Sequence, residues 1–332
     1  MRGRQSRGKR ELRPRCLAHR RIIRRAAATL FPMLVPKIVQ VETVATACTA
    51  RCTMCPIETW TRPVEVMKLE LFSRIMDQLA PYRDDIAYIV LNGCGEPLLD
   101  KKIGDKIALA RSRGFAGIQL STNATELRDA VGEGLLEAGL NRLIISIDGA
   151  TKETHEAIRK RTNWGEIVDN AERFIARRDA GRYGTEVWIR MIGQPLNDHE
   201  WPDYEAYWSS RIDPDRGDRV AYFRAHNWGR ESGIEGAAPK EAKITYCEDL
   251  WSRVYIHADG AIALCCVDDD GWFEIGNIRD VDAVEMLNSS PVFLRHRSLM
   301  ASGRTHELDH CRHCVVPLTR EQTNYRQGVR AR

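Results

Sequence analysis

The stretch Cys48-Thr-Ala-Arg-Cys52-Thr-Met-Cys55 sets three thiols in one short loop, just after the β-branched run Lys37-Ile-Val-Gln-Val-Glu-Thr43. Tetrahedral zinc and cubane iron–sulfur sites ordinarily take four protein ligands. No histidine occurs between residues 20 and 154, and Cys94 is the only other thiol nearby. Zinc would have to recruit Cys94 across the site, from a different strand end. A 4Fe–4S cube on three thiolates would instead leave one iron open to a small molecule.

Reading outward, strand-like runs alternate with segments of helical period. After residues 37–43 come strand-like runs at 85–92, 117–122, 142–148, 185–192 and 219–225, the first five each followed by a helical segment. This alternation points to an α/β fold, a parallel sheet curled into a partial (β/α)6 TIM-like barrel. A doubly wound open sheet is the alternative, but no Gly-x-Gly-x-x-Gly turn supports a dinucleotide site. In barrels the chemistry gathers in the loops after the strand C-termini. Those loops carry the three cysteines, then Gly93-Cys-Gly-Glu-Pro97, Ser121-Thr-Asn123 and Ser146-Ile-Asp-Gly149. Residues 231–243 read as a polar linker, with a domain boundary near residue 235. Beyond it, residues 253–266 read as a hairpin turning at Ala258-Asp259-Gly260, with short helices near 281–287 and 291–300.

Cys48-x3-Cys52-x2-Cys55 after a first strand resembles the signature of the radical S-adenosylmethionine superfamily. The resemblance implies that the open iron chelates the amine and carboxylate of S-adenosyl-L-methionine. The reduced cluster then cleaves the sulfonium, and a 5′-deoxyadenosyl radical takes a hydrogen atom from the substrate. The missing ligand is then the cofactor itself. Residues 93–97 are similar to the family's Gly-Gly-Glu segment, so Gly93, Gly95, Glu96 and Pro97 are expected at the methionyl amine. Cys94 stands where glycine is usual, either as a small buried side chain or as a hydrogen donor beside the radical. Ser121, Asn123, Ser146 and Asp148 resemble polar strand ends that contact the ribose and methionyl groups; the same residue types also cap helices and form turns. Arg159 matches an arginine common in this branch, a partner for a carboxylate. Taken alone it reads as a surface charge.

Four further cysteines, Cys247, Cys265, Cys311 and Cys314, are spaced C-x17-C-x45-C-x2-C. In isolation they could hold a structural zinc. With Gly260 between the first two, the spacing resembles the shortened SPASM module called twitch, which implies one auxiliary 4Fe–4S cluster. Such a cluster has no open iron and suits electron transfer. Cys266, beside Cys265, is a buried small side chain or a thiol that returns a hydrogen atom to a substrate radical. The acidic run Val267-Asp-Asp-Asp-Gly271 reads as a solvated turn or a source of a base, and His226-Asn-Trp228 as a substrate contact or barrel cap.

Composition is that of a soluble globular protein, 43% hydrophobic and 29% charged over 332 residues. Residues 1–25 hold eleven Arg or Lys and a single acid, Glu11, which leaves the rest of the chain mildly acidic. A basic arm of that kind can touch nucleic acid or an anionic membrane. Here it reads as a docking extension, with no nucleic-acid partner. No apolar run reaches the roughly 18 residues of a membrane span, and residues 26–35 lack a cleavage site, so a cytoplasmic location is expected. The domain reading is 1–36 basic extension, 37–235 barrel, 236–318 cluster module and 319–332 tail. The expected activity is oxidation of a secondary alcohol on a sugar or aminocyclitol, by analogy with the dehydrogenase branch of the family. The auxiliary cluster would accept an electron, and a flavodoxin or ferredoxin would be the donor. A carbohydrate epimerase or decarboxylase, a peptide-modifying maturase, and a non-catalytic electron carrier or zinc module are the alternatives.

Overall fold

The computed structural model describes residues 33–229, 244–273 and 275–318. Most of the basic arm, the 231–243 linker with its boundary, and the 319–332 tail lie outside the described residues.

Six strands form in chain order: β1 (Ile38–Val41), β2 (Tyr88–Val90), β3 (Ile118–Thr122), β4 (Arg142–Ser146), β5 (Glu186–Gly193) and β6 (Arg219–Arg224). Each pairs in parallel with the next, so the sheet runs β6-β5-β4-β3-β2-β1. The helices between them are α1 (Leu69–Leu79), α2 (Ile103–Ser112), α3 (Asp129–Glu137), α4 (Lys152–Ile158), α5 (Trp164–Ala180) and α6 (Trp201–Ser209). The expected partial (β/α)6 barrel is the observed fold.

Its two faces can be read from strand alternation. On β5, Val187, Ile189 and Met191 are fully buried, while Trp188, Arg190 and Ile192 alternate with them and are only partly covered. Successive side chains point to opposite faces, so the first set meets the helical layer and the second faces the barrel interior. Helix α1 contributes Leu71, Phe72, Ile75, Met76 and Leu79 to the core.

The C-terminal region does not stand apart from this sheet. Strand β7 (Arg253–Ile256) pairs in parallel with β1, and β8 (Ile262–Ala263) returns antiparallel to it. The hairpin turns where expected: Gly260 has φ +87° and its N–H bonds His257 O at 2.9 Å. Helices α7 (Asp249–Ser252), α8 (Ala283–Ser289) and α9 (Pro291–Ala301) complete the region. The described residues from Val35 onward form one compact unit. Among the described residues, no helix is long and apolar enough to cross a membrane.

Candidate active site

The cluster loop is zipped to the loop after β2. Thr46 N–H bonds Cys94 O and Glu96 N–H bonds Ala47 O, each at 2.8 Å. This close approach explains the flanking glycines. A Cβ on Gly95 would lie 2.5 Å from Val44 O, and one on Gly93 would lie 2.5 Å from the Tyr255 hydroxyl. Thr46 itself sits at φ +58°, a strained conformation for a β-branched residue, held in the loop that bears the chemistry. On the other side, Arg51 and Cys52 pair antiparallel with Lys160 and Arg159.

One cavity of about 370 Å³ brings the expected residues together. Cys48, Cys52 and Cys55 line it with Gly93, Cys94, Gly95, Glu96, Ser121, Asn123, Ser146 and Arg159. Pro97 and Asp148 stand behind the wall. Pro97 opens a short 3-10 turn capped by Glu96. Asp148 is fully buried, with one oxygen 2.7 Å from Arg159 Nε and the other accepting from Ile192 N–H at 2.7 Å.

The sulfurs are met by donors. Ala50 N–H and Asn123 Nδ2 approach Cys48 Sγ at 3.4 and 3.5 Å, and Arg159 Nη1 approaches Cys52 Sγ at 3.6 Å. Burial pushes the Cys48 thiol up to about 11, the Cys55 thiol up to about 12, and Cys52 up as well. Without a cation these thiols keep their protons. A bound metal centre reverses that, because a coordinating thiol is deprotonated outright. N–H donors aimed at sulfur are what a thiolate ligand of a cluster needs, so the residues present fit one. Among the described residues no three His, Cys, Asp or Glu side chains gather tightly enough to grip a single ion. A cube spreads its thiolates over separate irons and requires no such convergence.

Arg159 is therefore not a surface charge. It is 6% exposed, tied to Asp148 and the cluster loop at once. Glu96 spends its carboxylate within the protein, on Thr122 Oγ1 at 2.6 Å, Asn123 N–H at 2.9 Å and Leu98 N–H at 3.1 Å. What it can offer a ligand is its backbone. Cys94 is buried with its Sγ 3.6 Å from the Tyr255 hydroxyl, while still bordering the cavity.

A centre that the sequence did not disclose lies beneath. Glu42, at the end of β1, is fully buried. It takes Arg62 Nη1 and Nη2 at 3.1 and 2.5 Å, Cys94 N–H at 3.0 Å and Ala258 N–H at 2.9 Å, with His257 Nδ1 at 3.5 Å. Burial alone would raise this carboxyl; the His257 imidazole and the Arg62 guanidinium beside it hold it at about 2. One carboxylate thus fastens the cluster loop, the β2 loop and the C-terminal hairpin. The acidic run serves the same junction and is not a solvated turn. Asp269 accepts from Trp60 Nε1 at 2.6 Å, and Asp270 from Thr61 N–H at 2.8 Å and Arg62 N–H at 3.2 Å.

The C-terminal cysteines also assemble. Cys314 lies among Cys247, Cys266 and Cys311, and Cys265 lies beside Cys266 and Cys314. Burial pushes the Cys311 thiol up to about 11 and raises Cys265 and Cys314 further. Enclosure by thiols fits the expected auxiliary cluster. Cys266 differs from the rest: its Sγ donates to Asp249 Oδ2 at 3.6 Å and it reaches the cavity wall. Trp60, His226 and Trp228 form another part of that wall, with Trp228 Nε1 bonded to Met54 O at 2.7 Å.

Residues 43–206 match the family model of the radical SAM superfamily, and residues 247–315 match SPASM, an iron–sulfur cluster-binding domain. The chain is 23% identical, over 165 residues, to the tungsten-containing aldehyde ferredoxin oxidoreductase cofactor-modifying protein of Pyrococcus furiosus, covering 49% of this chain and 46% of that one. It is 30% identical over 220 residues to GTP 3',8-cyclase of Marinobacter nauticus, covering 66% and 56%. It spans about half the length of these curated relatives. The crystal structure of BtrN in complex with AdoMet and 2-DOIA superposes with a TM-score of 0.57 at 17% identity, over 84% of this chain and 93% of that one. Streptococcus suis SuiB bound to precursor peptide SuiA gives 0.66 at 12% identity, over 90% and 75%. At those identities the likeness is one of fold.

Proposed function

The chain belongs to the radical S-adenosylmethionine superfamily and carries a SPASM domain, and we propose that it oxidises a secondary alcohol of a small polyhydroxylated substrate, a sugar or aminocyclitol. When bound, the cluster on Cys48, Cys52 and Cys55 together with S-adenosylmethionine supplies a 5′-deoxyadenosyl radical able to remove hydrogen from an unactivated C–H bond. The chain's own residues do the rest. Gly93, Gly95 and the Glu96 backbone shape the cofactor shelf, and Arg159 puts a positive charge beside Cys52. Trp60 and Trp228 give the cavity an aromatic wall.

The observation that carries this reading is the shared cavity. Its wall includes the three-thiol loop together with Cys266 and Val316, from the auxiliary-cysteine region. A substrate held there would be within reach of both the site of hydrogen removal and the region proposed to accept the second electron, which is what alcohol oxidation requires. The external donor is proposed to be a flavodoxin or ferredoxin.

Anaerobic incubation of the reconstituted protein with candidate sugars and aminocyclitols, followed by mass analysis, tests this. The expected product has lost two hydrogens as a ketone, with 5′-deoxyadenosine formed in equal amount. A product of unchanged mass with one inverted centre would replace oxidation by epimerisation, with Cys94 or Cys266 returning the hydrogen. Loss of carbon dioxide would mean decarboxylation, and turnover only on a peptide would mean side-chain modification.

A further inference from the structure

Arg190 is a cation on the wall of this cavity, and the buried Asp148 carboxylate that acts on it is already engaged by Arg159. It lies inside the barrel on β5, in register with Ser146 of β4. Its Nη2 donates to Ser121 Oγ at 2.9 Å and Ser146 Oγ at 2.7 Å, while its buried Nε finds no partner. Among the described residues it makes no ion pair. The other charges on the wall are compensated: Arg159 by Asp148 at 2.7 Å, Arg224 by Asp198 at 2.6 and 2.7 Å, and Glu96 by its three donors. Burial, and then the nearby Arg159 charge, push the Arg190 guanidinium down to about 10, against the opposing pull of the Asp148 carboxylate. It remains protonated at neutral pH.

Holding a partly covered charge on neutral hydroxyls alone, with its Nε unpartnered, is unfavourable. A fold that keeps one gains when a ligand brings the opposite charge. The guanidinium fork matches the planar oxygen pair of a carboxylate, or two oxygens of a phosphate. Two positively charged sites could compete for the methionyl carboxylate of the cofactor, and position separates them. Arg159 touches Cys52, one of the cysteines that would hold the cluster and, with it, the cofactor. Arg190 also lines a second hollow of about 170 Å³, with Gln40, Asn92, Gln119, Ser121 and Arg253, which none of the three cluster cysteines reaches; Arg253 is paired with Asp249 at 3.0 Å. Hydrogen-bonding groups around two cations, of which only Arg253 is held in an ion pair, describe a seat for the polar, acidic end of a substrate.

We propose that Arg190 anchors an oxyanion of the substrate, a carboxylate or a phosphate, so that the enzyme takes acid-bearing sugars in preference to aminocyclitols. This rests on the alcohol-oxidation reading for the word sugar, but not for the anion site. An ammonium group placed beside an uncompensated guanidinium would be repelled. An acid would relieve the cost of burying Arg190 and fix the alcohol's orientation in the same contact.

The test needs no turnover. The reconstituted full-length protein is titrated with inorganic phosphate and, separately, with acetate at constant ionic strength, following thermal unfolding and heat of binding. Wild type should show saturable one-site binding of at least one of the two, and the stronger probe identifies the oxyanion class. Arg190→Gln should weaken that binding about tenfold or more and, without anion, should unfold at the same temperature as wild type or higher. A merely structural arginine would instead destabilise on removal. Arg190→Lys, which keeps the charge but loses the fork, should fall between. Cofactor affinity should stay unchanged in both variants. The proposal is overturned by equal anion binding in Arg190→Gln, by no saturable binding in wild type, by a lowered unfolding temperature, or by a fall in cofactor affinity. If anion binding behaves as expected while no alcohol is oxidised, the reaction reading fails and the site stands.

Discussion

The two cysteine centres are built in opposite ways. Cys48, Cys52 and Cys55 come from one loop, and their sulfurs are met by donors from Ala50, Asn123 and Arg159 at the edge of an open cavity. Cys247, Cys265, Cys311 and Cys314 come from well-separated stretches of chain, and none of them borders that cavity. A local chelate can leave one corner for a ligand because its backbone is already ordered by neighbouring loops. A site assembled from distant segments has no such freedom; its ligands also hold the region together. Hydrogen removal at the first centre, and electron acceptance combined with cohesion at the second, are the proposed division of labour.

The most severe way to break that division is Cys52→Ala. Without this thiolate the reactive cluster has too few ligands, and 5′-deoxyadenosine formation should vanish. Iron should fall from about eight to about four per chain. Retained cofactor cleavage would remove the assigned role of the loop. Next in size is Cys311→Ala. Under the proposed function it should still permit cleavage of S-adenosylmethionine while net oxidation of substrate stops. Full turnover in this variant would dismiss electron acceptance at the second centre.

A third, smaller effect tests the junction between the regions. Glu42→Gln leaves Arg62 without its carboxylate, and removing one partner of a buried ion pair costs about 3–5 kcal/mol. The same group gives a pH signature. Its folded value of about 2 lies below the ordinary glutamate value near 4.3, so its stabilising contribution is complete above about pH 5. It should fade as pH drops through about 2, with a total on the order of 3 kcal/mol. Urea unfolding across that range should show the loss in wild type and a flatter curve in Glu42→Gln.

How much of this was legible beforehand follows from the range of the interactions. The barrel strands announced themselves through β-branched runs, and the three-cysteine loop through local spacing. Gly260 was visible because an Asp-Gly turn is a short-range feature. Arg159 looked like a surface charge because Asp148, which buries it, belongs to another element. The same applies to Glu42, whose partners Arg62, Cys94 and Ala258 come from three different segments. Arg190 carries no local mark at all, since an arginine in a strand acquires meaning only once the strand faces a cavity. The acidic run at 268–270 was misjudged for a related reason. Three adjacent carboxylates look solvated until the loop at Trp60–Arg62 arrives to satisfy two of them.

The smallest expected effect concerns Gly260. Its φ of +87° and the 2.9 Å gap between an added Cβ and Asn277 Oδ1 make Gly260→Ala strained. A loss of about 1–2 kcal/mol is expected. Because β7 is paired with β1, the hairpin should not unfold by itself, and the variant should show one urea transition at lower denaturant. Two separated transitions would mean that β7 and β1 are not energetically coupled, and the C-terminal region would then be an appendage. A single transition with cofactor cleavage preserved would place the cost on cohesion, leaving the chemistry of the Cys48–Cys55 loop untouched.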